Sequence, residues 1–307
     1  KFNDFARQEK MDDLYTLTVK AADLAGNEKE ETICFSVNRY GSVYVLDNDT
    51  KDWLDIRGYS YVNEEREVGV IEYNVDTIKD SQIILDRDGQ LKRLKEKKDY
   101  KVTRYAAQAR WEKNHYVLSV GNFGMEGHYT VIFSTRDEAG NVMNNTNVKM
   151  EGRNLPIRFA VDKTAPTAVI SGVKDGGSYR SPERIMTIDA KDNLALDKVT
   201  VSIGGKRKIY KEEELKKNNG IIDVAIASSY NFQKIEVTAA DAAGNLLGQK
   251  QVNGQEQSVT LKVLVTPNIM IQYYMNKPLF YGSVIIVAVI SGWSIFSLIR
   301  KRERRKI

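Results

Sequence analysis

Acidic side chains that recur at one place in a repeated motif could bind a cation, work as acid–base catalysts or cap a turn. The pentapeptide Asp-x-Ala-Gly-Asn occurs three times, as Asp23-Leu24-Ala25-Gly26-Asn27, Asp137-Glu138-Ala139-Gly140-Asn141 and Asp241-Ala242-Ala243-Gly244-Asn245. The copies stand 114 and 104 residues apart (137 − 23 and 241 − 137), each about one domain's length. An active site is seldom copied into every module of an array, whereas a turn is. Asp accepts hydrogen bonds from backbone N–H groups two residues on, and Gly supplies the positive φ of a hairpin corner. Turn capping is therefore the expected role of Asp23, Asp137 and Asp241, with Gly26, Gly140, Gly244, Asn27, Asn141 and Asn245 completing the corners.

Other residues invite sharper readings. Asp47, Asn48 and Asp49, and further on Asp189, Asp192, Asn193 and Asp197, offer the hard oxygen donors that suit Ca²⁺. Asp47, Asp49, Asp189 and Asp192 are the calcium candidates, although neither stretch follows an EF-hand loop or a glycine-rich nonapeptide. Tyr105, Trp111, His115 and Tyr116 could line a carbohydrate platform, with core packing as the competing fate. The stretch Lys92–Lys101 is basic but interleaved with Glu96 and Asp99, which fits a solvated hairpin connection. One cysteine, Cys34, and two histidines leave no intramolecular disulfide and too few ligands for a Cys/His zinc site. Cys34 has no histidine near it in sequence to activate it. Phosphate-binding glycine loops, nucleophile elbows and paired-histidine helices are absent, so no catalysis is expected of this region.

The elements that position the repeated corners are legible around them. Upstream of each runs an apolar/polar alternation: Tyr15, Leu17, Val19, Ala21; Tyr129, Val131, Phe133, Thr135; Ile235, Val237, Ala239. A second alternation follows: Ile33, Phe35, Val37; Ile157, Phe159, Val161; Val259, Leu261, Val263, Val265. A period of two marks half-buried strands, so each copy predicts a β-hairpin. Tyr129, after Glu126-Gly127-His128, stands where a tyrosine corner would, with His128 facing solvent. Asp192-Asn193 predicts a turn before a central strand through Val199, Val201 and Ile203, and Asn218-Asn219-Gly220 predicts another turn.

Charge and hydropathy place the chain. Six of the 46 basic residues lie in the last eight positions, with one of the 41 acids, so the remainder balances at 40 each. A body without net positive field disfavours nucleic acid as a partner. From Leu279 to Ile299 no residue is charged. At ~1.5 Å per residue this stretch makes a helix about as long as a bilayer's hydrocarbon core, which predicts a lipid bilayer as partner. Arg300, Lys301 and Arg302 follow at once and predict a cytoplasmic tail, while Tyr273, Tyr274, Phe280 and Tyr281 suit the outer interface.

The repeated corner, the sequence Phe159-Ala160-Val161-Asp162-Lys163-Thr164-Ala165-Pro166 and its partial echo at Phe35–Ser42 resemble the bacterial immunoglobulin-like domains of Gram-positive surface proteins. The resemblance covers nearly all of the chain outside the apolar segment. It implies an all-β fold of tandem immunoglobulin-like β-sandwich domains followed by a single transmembrane α-helix. The expected divisions are 1–39 (the last hairpin of a further domain), 40–162 and 163–266 (two sandwiches), 267–278 (a juxtamembrane stalk), 279–299 (the span) and 300–307 (the tail). It implies a cell-surface role: a stalk presenting an upstream domain, an adhesin for cell-wall glycan or a host surface ligand, or the anchor region of a surface hydrolase.

Overall fold

A computed structural model describes residues 13–37, 41–105, 112–146, 155–248 and 258–303. The chain divides into two compact units, Lys1–Lys163 and Thr164–Ile307. The first begins with a hairpin of its own, β1 (Asp13–Ala22) against β2 (Glu28–Val37), paired residue for residue through Leu17↔Ile33 and Ala22↔Glu28.

The rest of that unit is a sandwich. Its strands are β3 (Val43–Leu46), β4 (Ser60–Val62), β5 (Val68–Asn74), β6 (Ile78–Arg87), β7 (Gln90–Arg93), β8 (Tyr100–Tyr105), β9 (Glu112–Leu118), β10 (Gly127–Asp137), β11 (Val142–Asn144) and β12 (Ile157–Val161), with a short helix α1 (Asn48–Lys51) after β3. One sheet runs β3-β5-β9-β8 and the other β4-β12-β10-β6-β7, with β11 added to β10. Alternation along β10 decides its packing. Val131 faces Leu85 and Ile157 across the ladder, Phe133 faces Ile83, and all of these side chains are buried. Tyr129 stacks on Phe159 at 5.5 Å, and Phe123 meets both rings edge-on. Tyr44 and Tyr116 from the opposite sheet close on Phe133 at 5.4 and 5.3 Å.

The second unit repeats the plan with β13 (Thr167–Ser171), β14 (Ser178–Tyr179), β15 (Glu183–Lys191), β16 (Leu196–Ile203), β17 (Lys206–Lys211), α2 (Glu212–Lys217), β18 (Ile221–Ala227), β19 (Gln233–Asp241) and β20 (Val259–Val265). Its sheets are β13-β15-β18 and β14-β20-β19-β16-β17. In both units an early strand pairs parallel with the last one, β4 with β12 and β14 with β20, while the preceding strand pairs antiparallel in the other sheet. This early exchange between sheets, with the order early–last–penultimate–third along one face, is the immunoglobulin-like sandwich arrangement. Two helices close the chain, α3 (Ile269–Met275) and α4 (Lys277–Glu303). The juxtamembrane segment contains α3, capped where the Asn268 side chain accepts from the Met270 N–H at 2.9 Å.

Among the described residues, only the first copy leaves its corner as one long strand; after Asp137 the chain pairs for three residues in β11, turns at Asn145, and pairs again as β12. The buried Asn145 side chain fills the gap. Its Oδ1 accepts from Phe133 N at 2.8 Å, and its Nδ2 donates to Val131 O and Leu155 O at 3.1 and 2.9 Å. A side-chain amide thereby replaces the missing ladder bonds.

The three corners share one backbone form. Gly26, Gly140 and Gly244 have φ of 86°, 86° and 88°, and each donates its N–H back to the carbonyl of the motif aspartate at 3.1 to 3.3 Å. A Cβ built on Gly140 meets nothing within 4 Å, so any cost of replacement is backbone strain and not collision. Gly140→Val is expected to lower the stability of the first unit by about 1–3 kcal/mol, and Gly140→Asn by less, because asparagine tolerates positive φ. Denaturant unfolding would check the order; a valine variant as stable as the parent contradicts the strained corner.

Candidate functional site

The side chains of each repeat form a clamp across the turn. The aspartate Oδ1 accepts from the asparagine backbone N–H at 2.9, 2.8 and 2.8 Å in the three copies. The Oδ2 accepts from the asparagine Nδ2 at 2.8, 3.0 and 2.7 Å. All nine motif residues therefore come together in threes, and the carboxylates face their own main chain. Asp23, in the open hairpin, titrates below its ordinary value because Asn27 bonds its charged form. Asp241 is buried, and burial raises its pKa against the bonds from Asn245, with nearby Asp192 adding to the rise.

The calcium candidates have local partners. Asp47 caps α1 by accepting from Thr50 N at 2.9 Å, and its other oxygen meets His115 Nε2 at 2.9 Å. Burial works against the Asp47 carboxylate, yet the bonds from Thr50 and His115 outweigh it and hold its pKa below the usual value. Asp49 lies exposed in the first turn of α1. Asp189, on β15, pairs with Lys191 at 2.7 Å. Asp192 turns its chain by accepting from Leu194 N and Ala195 N at 2.9 and 2.8 Å. Within either unit, no three His, Cys, Asp or Glu side chains converge among the described residues.

Among the described aromatic candidates, Tyr105 and Tyr116 line one cleft, Tyr116 as a core residue and Tyr105 with an exposed ring, 48% accessible, while His115 is held by Asp47. Trp111 and the side chain of Cys34 lie outside the described residues. His128 is exposed on β10 and bonds Asp88 at 3.1 Å. Tyr129 donates to the carbonyl of Met125 four residues back, at 2.6 Å, which is the tyrosine-corner bond. The charged stretch after β6 is knitted by Asp99, which accepts from Lys92 Nζ and Lys95 N at 2.9 Å each.

Sequence reasoning passed over the most unusual group, Glu72 on β5. It is fully buried and its side chain points between the sheets. Its Oε2 accepts from the Tyr116 hydroxyl at 2.7 Å, and its Oε1 has no partner within bonding distance. Around it the Tyr44 hydroxyl meets Thr135 Oγ1 at 2.6 Å, Thr135 donates to Ser42 Oγ at 3.0 Å, and Asn74 Nδ2 donates to Ser42 at 3.0 Å. Asn74 also reaches the Asp137 carboxylate at 3.4 Å, which joins this network to the turn clamp. Burial raises the pKa of Glu72, opposed by the hydroxyls of Ser42, Tyr116, Thr135 and Tyr44. Burial likewise pushes up Tyr44 and Tyr116, and the Glu72 charge adds to it.

The last candidate is the helix α4. Its segment Lys277–Arg302 is 26 residues long, its most apolar 18-residue window has mean hydropathy 2.1, and none of that window is buried by the rest of the chain. Leu279 and Ile299 bound the uncharged stretch, and Arg300, Lys301 and Arg302 occupy the last turn. Phe280 gathers Tyr273, Tyr274 and Tyr281 at ring distances of 5.7, 5.2 and 5.5 Å, and Lys277 Nζ lies 3.7 Å from the Tyr274 ring centroid. Among the described residues, one helix is long and apolar enough to cross a membrane.

No family model matches the chain, and no curated protein matches it. Solved structures similar to it include the fibronectin(III)-like modules of Clostridium thermocellum CbhA, at 11% identity and TM-score 0.30 over 73% of this chain and 94% of that one. The full ectodomain (Ig1–Ig3) of mouse nectin-like molecule 4 is similar at 13% identity and TM-score 0.32, over 80% of this chain and 75% of that one. The eight N-terminal Ig domains of Down Syndrome Cell Adhesion Molecule are similar at 12% identity and TM-score 0.22, over 84% of this chain and 32% of that one. What assigns both units to the immunoglobulin-like class is their own strand order.

Glu72 yields a pH test. A carboxyl whose folded pKa lies above its unfolded value binds more protons in the folded state, so it withdraws stability as pH rises through that interval. The interval begins at the ordinary glutamate value of 4.5 and extends upward. Glu72→Gln keeps the acceptor for Tyr116 and gives the hydroxyl network an N–H donor where a protonated carboxyl would supply one. Between pH 4 and 8 the parent is expected to lose stability relative to this variant, read from paired melting curves. A constant difference across that range contradicts the assignment.

Proposed function

We propose that the chain is a membrane-anchored, non-catalytic cell-surface stalk whose immunoglobulin-like modules, of the bacterial kind, carry a more distal part away from the bilayer. The observation that carries this reading is the combination in one chain of two sandwiches and an uncovered apolar helix with a basic end. Arg300, Lys301 and Arg302 favour a cytoplasmic C-terminus, which leaves the sandwiches outside in a type I single-pass arrangement. The aromatic group at Tyr273, Tyr274, Phe280 and Tyr281 suits the outer headgroup region. Ile269, Met270 and Tyr274 on α3 are exposed just before the span, apolar surface that an interface would cover. The Asp-x-Ala-Gly-Asn corners, closed on themselves in all three copies, support a structural role for the residues that looked most like chemistry.

A chain lacking residues 278–307 tests the anchor. The full chain is expected to stay with membranes through an alkaline carbonate wash and the truncated one to appear in the soluble fraction. Protease added to intact cells is expected to cut the sandwiches and spare a tag placed after Ile307. A truncated chain that stays carbonate-resistant, or a tag lost while the sandwiches survive, overturns the proposed topology.

A further inference from the structure

At one edge of the first sandwich the two sheets part, and a cleft of about 510 Å³ opens between the start of β6 and the strands β8 and β9. That volume lies within the roughly 300–1,000 Å³ of small-molecule sites. Its floor is hydroxyl and amide: Ser81 Oγ and Asn114 Nδ2 stand 3.2 and 3.4 Å from the Tyr116 hydroxyl. Its mouth carries the exposed ring of Tyr105, held by Lys113 Nζ at 4.8 Å from the ring centroid. We propose that this cleft is a binding site for a neutral saccharide of one or two rings.

The cations of the lining argue against an anionic ligand, because both are already committed. Arg104 grips Glu96 through two parallel bonds of 3.1 and 2.8 Å. Lys79 pairs with Glu138. Glu112 Oε2 accepts from Ile78 N at 2.9 Å, and Asp80 meets Gln82 Nε2 at 3.4 Å. An anion would have to break one of the two ion pairs, and the acid it displaced would lose its partner. A polyol adds bonds at Ser81 and Asn114 without breaking any, since each sugar hydroxyl both donates and accepts, as those two side chains do, while Tyr116, already bonded to Glu72, Ser81 and Asn114, holds them in place. The apolar face of a pyranose then has the ring of Tyr105 to lie against. The reading stands apart from the anchor: either one survives failure of the other.

The test is calorimetric titration of the full chain in detergent micelles with lactose, maltose, cellobiose and N,N′-diacetylchitobiose, beside glucosamine and sialyllactose as charged probes. Saturable binding of at least one neutral disaccharide is expected, weakened about tenfold or more by Tyr105→Ala and by Ser81→Ala. Tyr230→Ala, at a ring exposed in the second unit, is expected to leave it unchanged. Absence of binding by a cooperatively folded parent, preference for the charged sugars, or equal binding by the Tyr105 and Ser81 variants would each overturn the proposal.

Discussion

The carboxylate of the repeat aspartate, bonded to both the main chain and the side chain of the asparagine four residues on, fixes where the penultimate strand of each module ends. That end point sets register, and in a strand register decides everything about the core. A slip of one residue along β10 would carry Val131 and Phe133 out to solvent and bring Thr130 and Ile132 in. The same holds for Ile235 and Val237 on β19, both fully buried. Because each of these strands lies inside its sheet, between β12 and β6 or between β20 and β16, its register is passed to neighbours on both sides. The turn clamp therefore acts on the whole sandwich, although it touches only five residues.

The identical clamp works in three environments, and its electrostatics change accordingly. In the open hairpin the carboxylate keeps its solvation and the asparagine bonds only help the charge. In the second unit burial outweighs the same bonds and raises the pKa of Asp241. In the first unit the clamp extends inward, through Asn74 and Ser42 to Thr135, Tyr44 and finally Glu72. A chain of polar groups across a core is costly unless each is satisfied. Its members come from β3, β5, β9 and β10 and the residue before β3, so its bonds form only when both sheets meet in one arrangement, and Glu72 Oε1 stays without a partner even there. Such a network selects a unique packing more than it adds stability.

The strands flanking the corners were legible in the sequence because one face is apolar and the other polar, and the corners because glycine at positive φ has few substitutes. The apolar helix was legible by length alone. Glu72 was not, since VGVIEYN looks like a strand burying Ile71 and Tyr73 when in fact Val70, Glu72 and Asn74 point inward. The bonds that permit this come from residues 32 to 63 positions away, beyond any local pattern. The break between β11 and β12 escaped for a related reason: Asn145 resembles any turn residue until its three backbone partners are seen together. Of the side chains that suggested a sugar platform or a calcium site, Tyr105 and Tyr116 line one cleft, Asp47 and His115 bond each other, and Asp192 caps a turn.

If the repeat aspartates are the structural keystones of the modules, the first unit should be the place to see it, because there the clamp is buried and tied to the core network. The most direct measurement is denaturant unfolding of the full chain with Asp137→Ala. Removal of the acceptor takes bonds from the half-buried Asn141 and the buried Asn74, and a loss of roughly 1–3 kcal/mol in the first unit's transition is expected, with the second unit's transition unmoved. A change under about 0.5 kcal/mol, the range of an ordinary surface substitution, would contradict the account and return the repeat aspartates to the list of residues in search of a function.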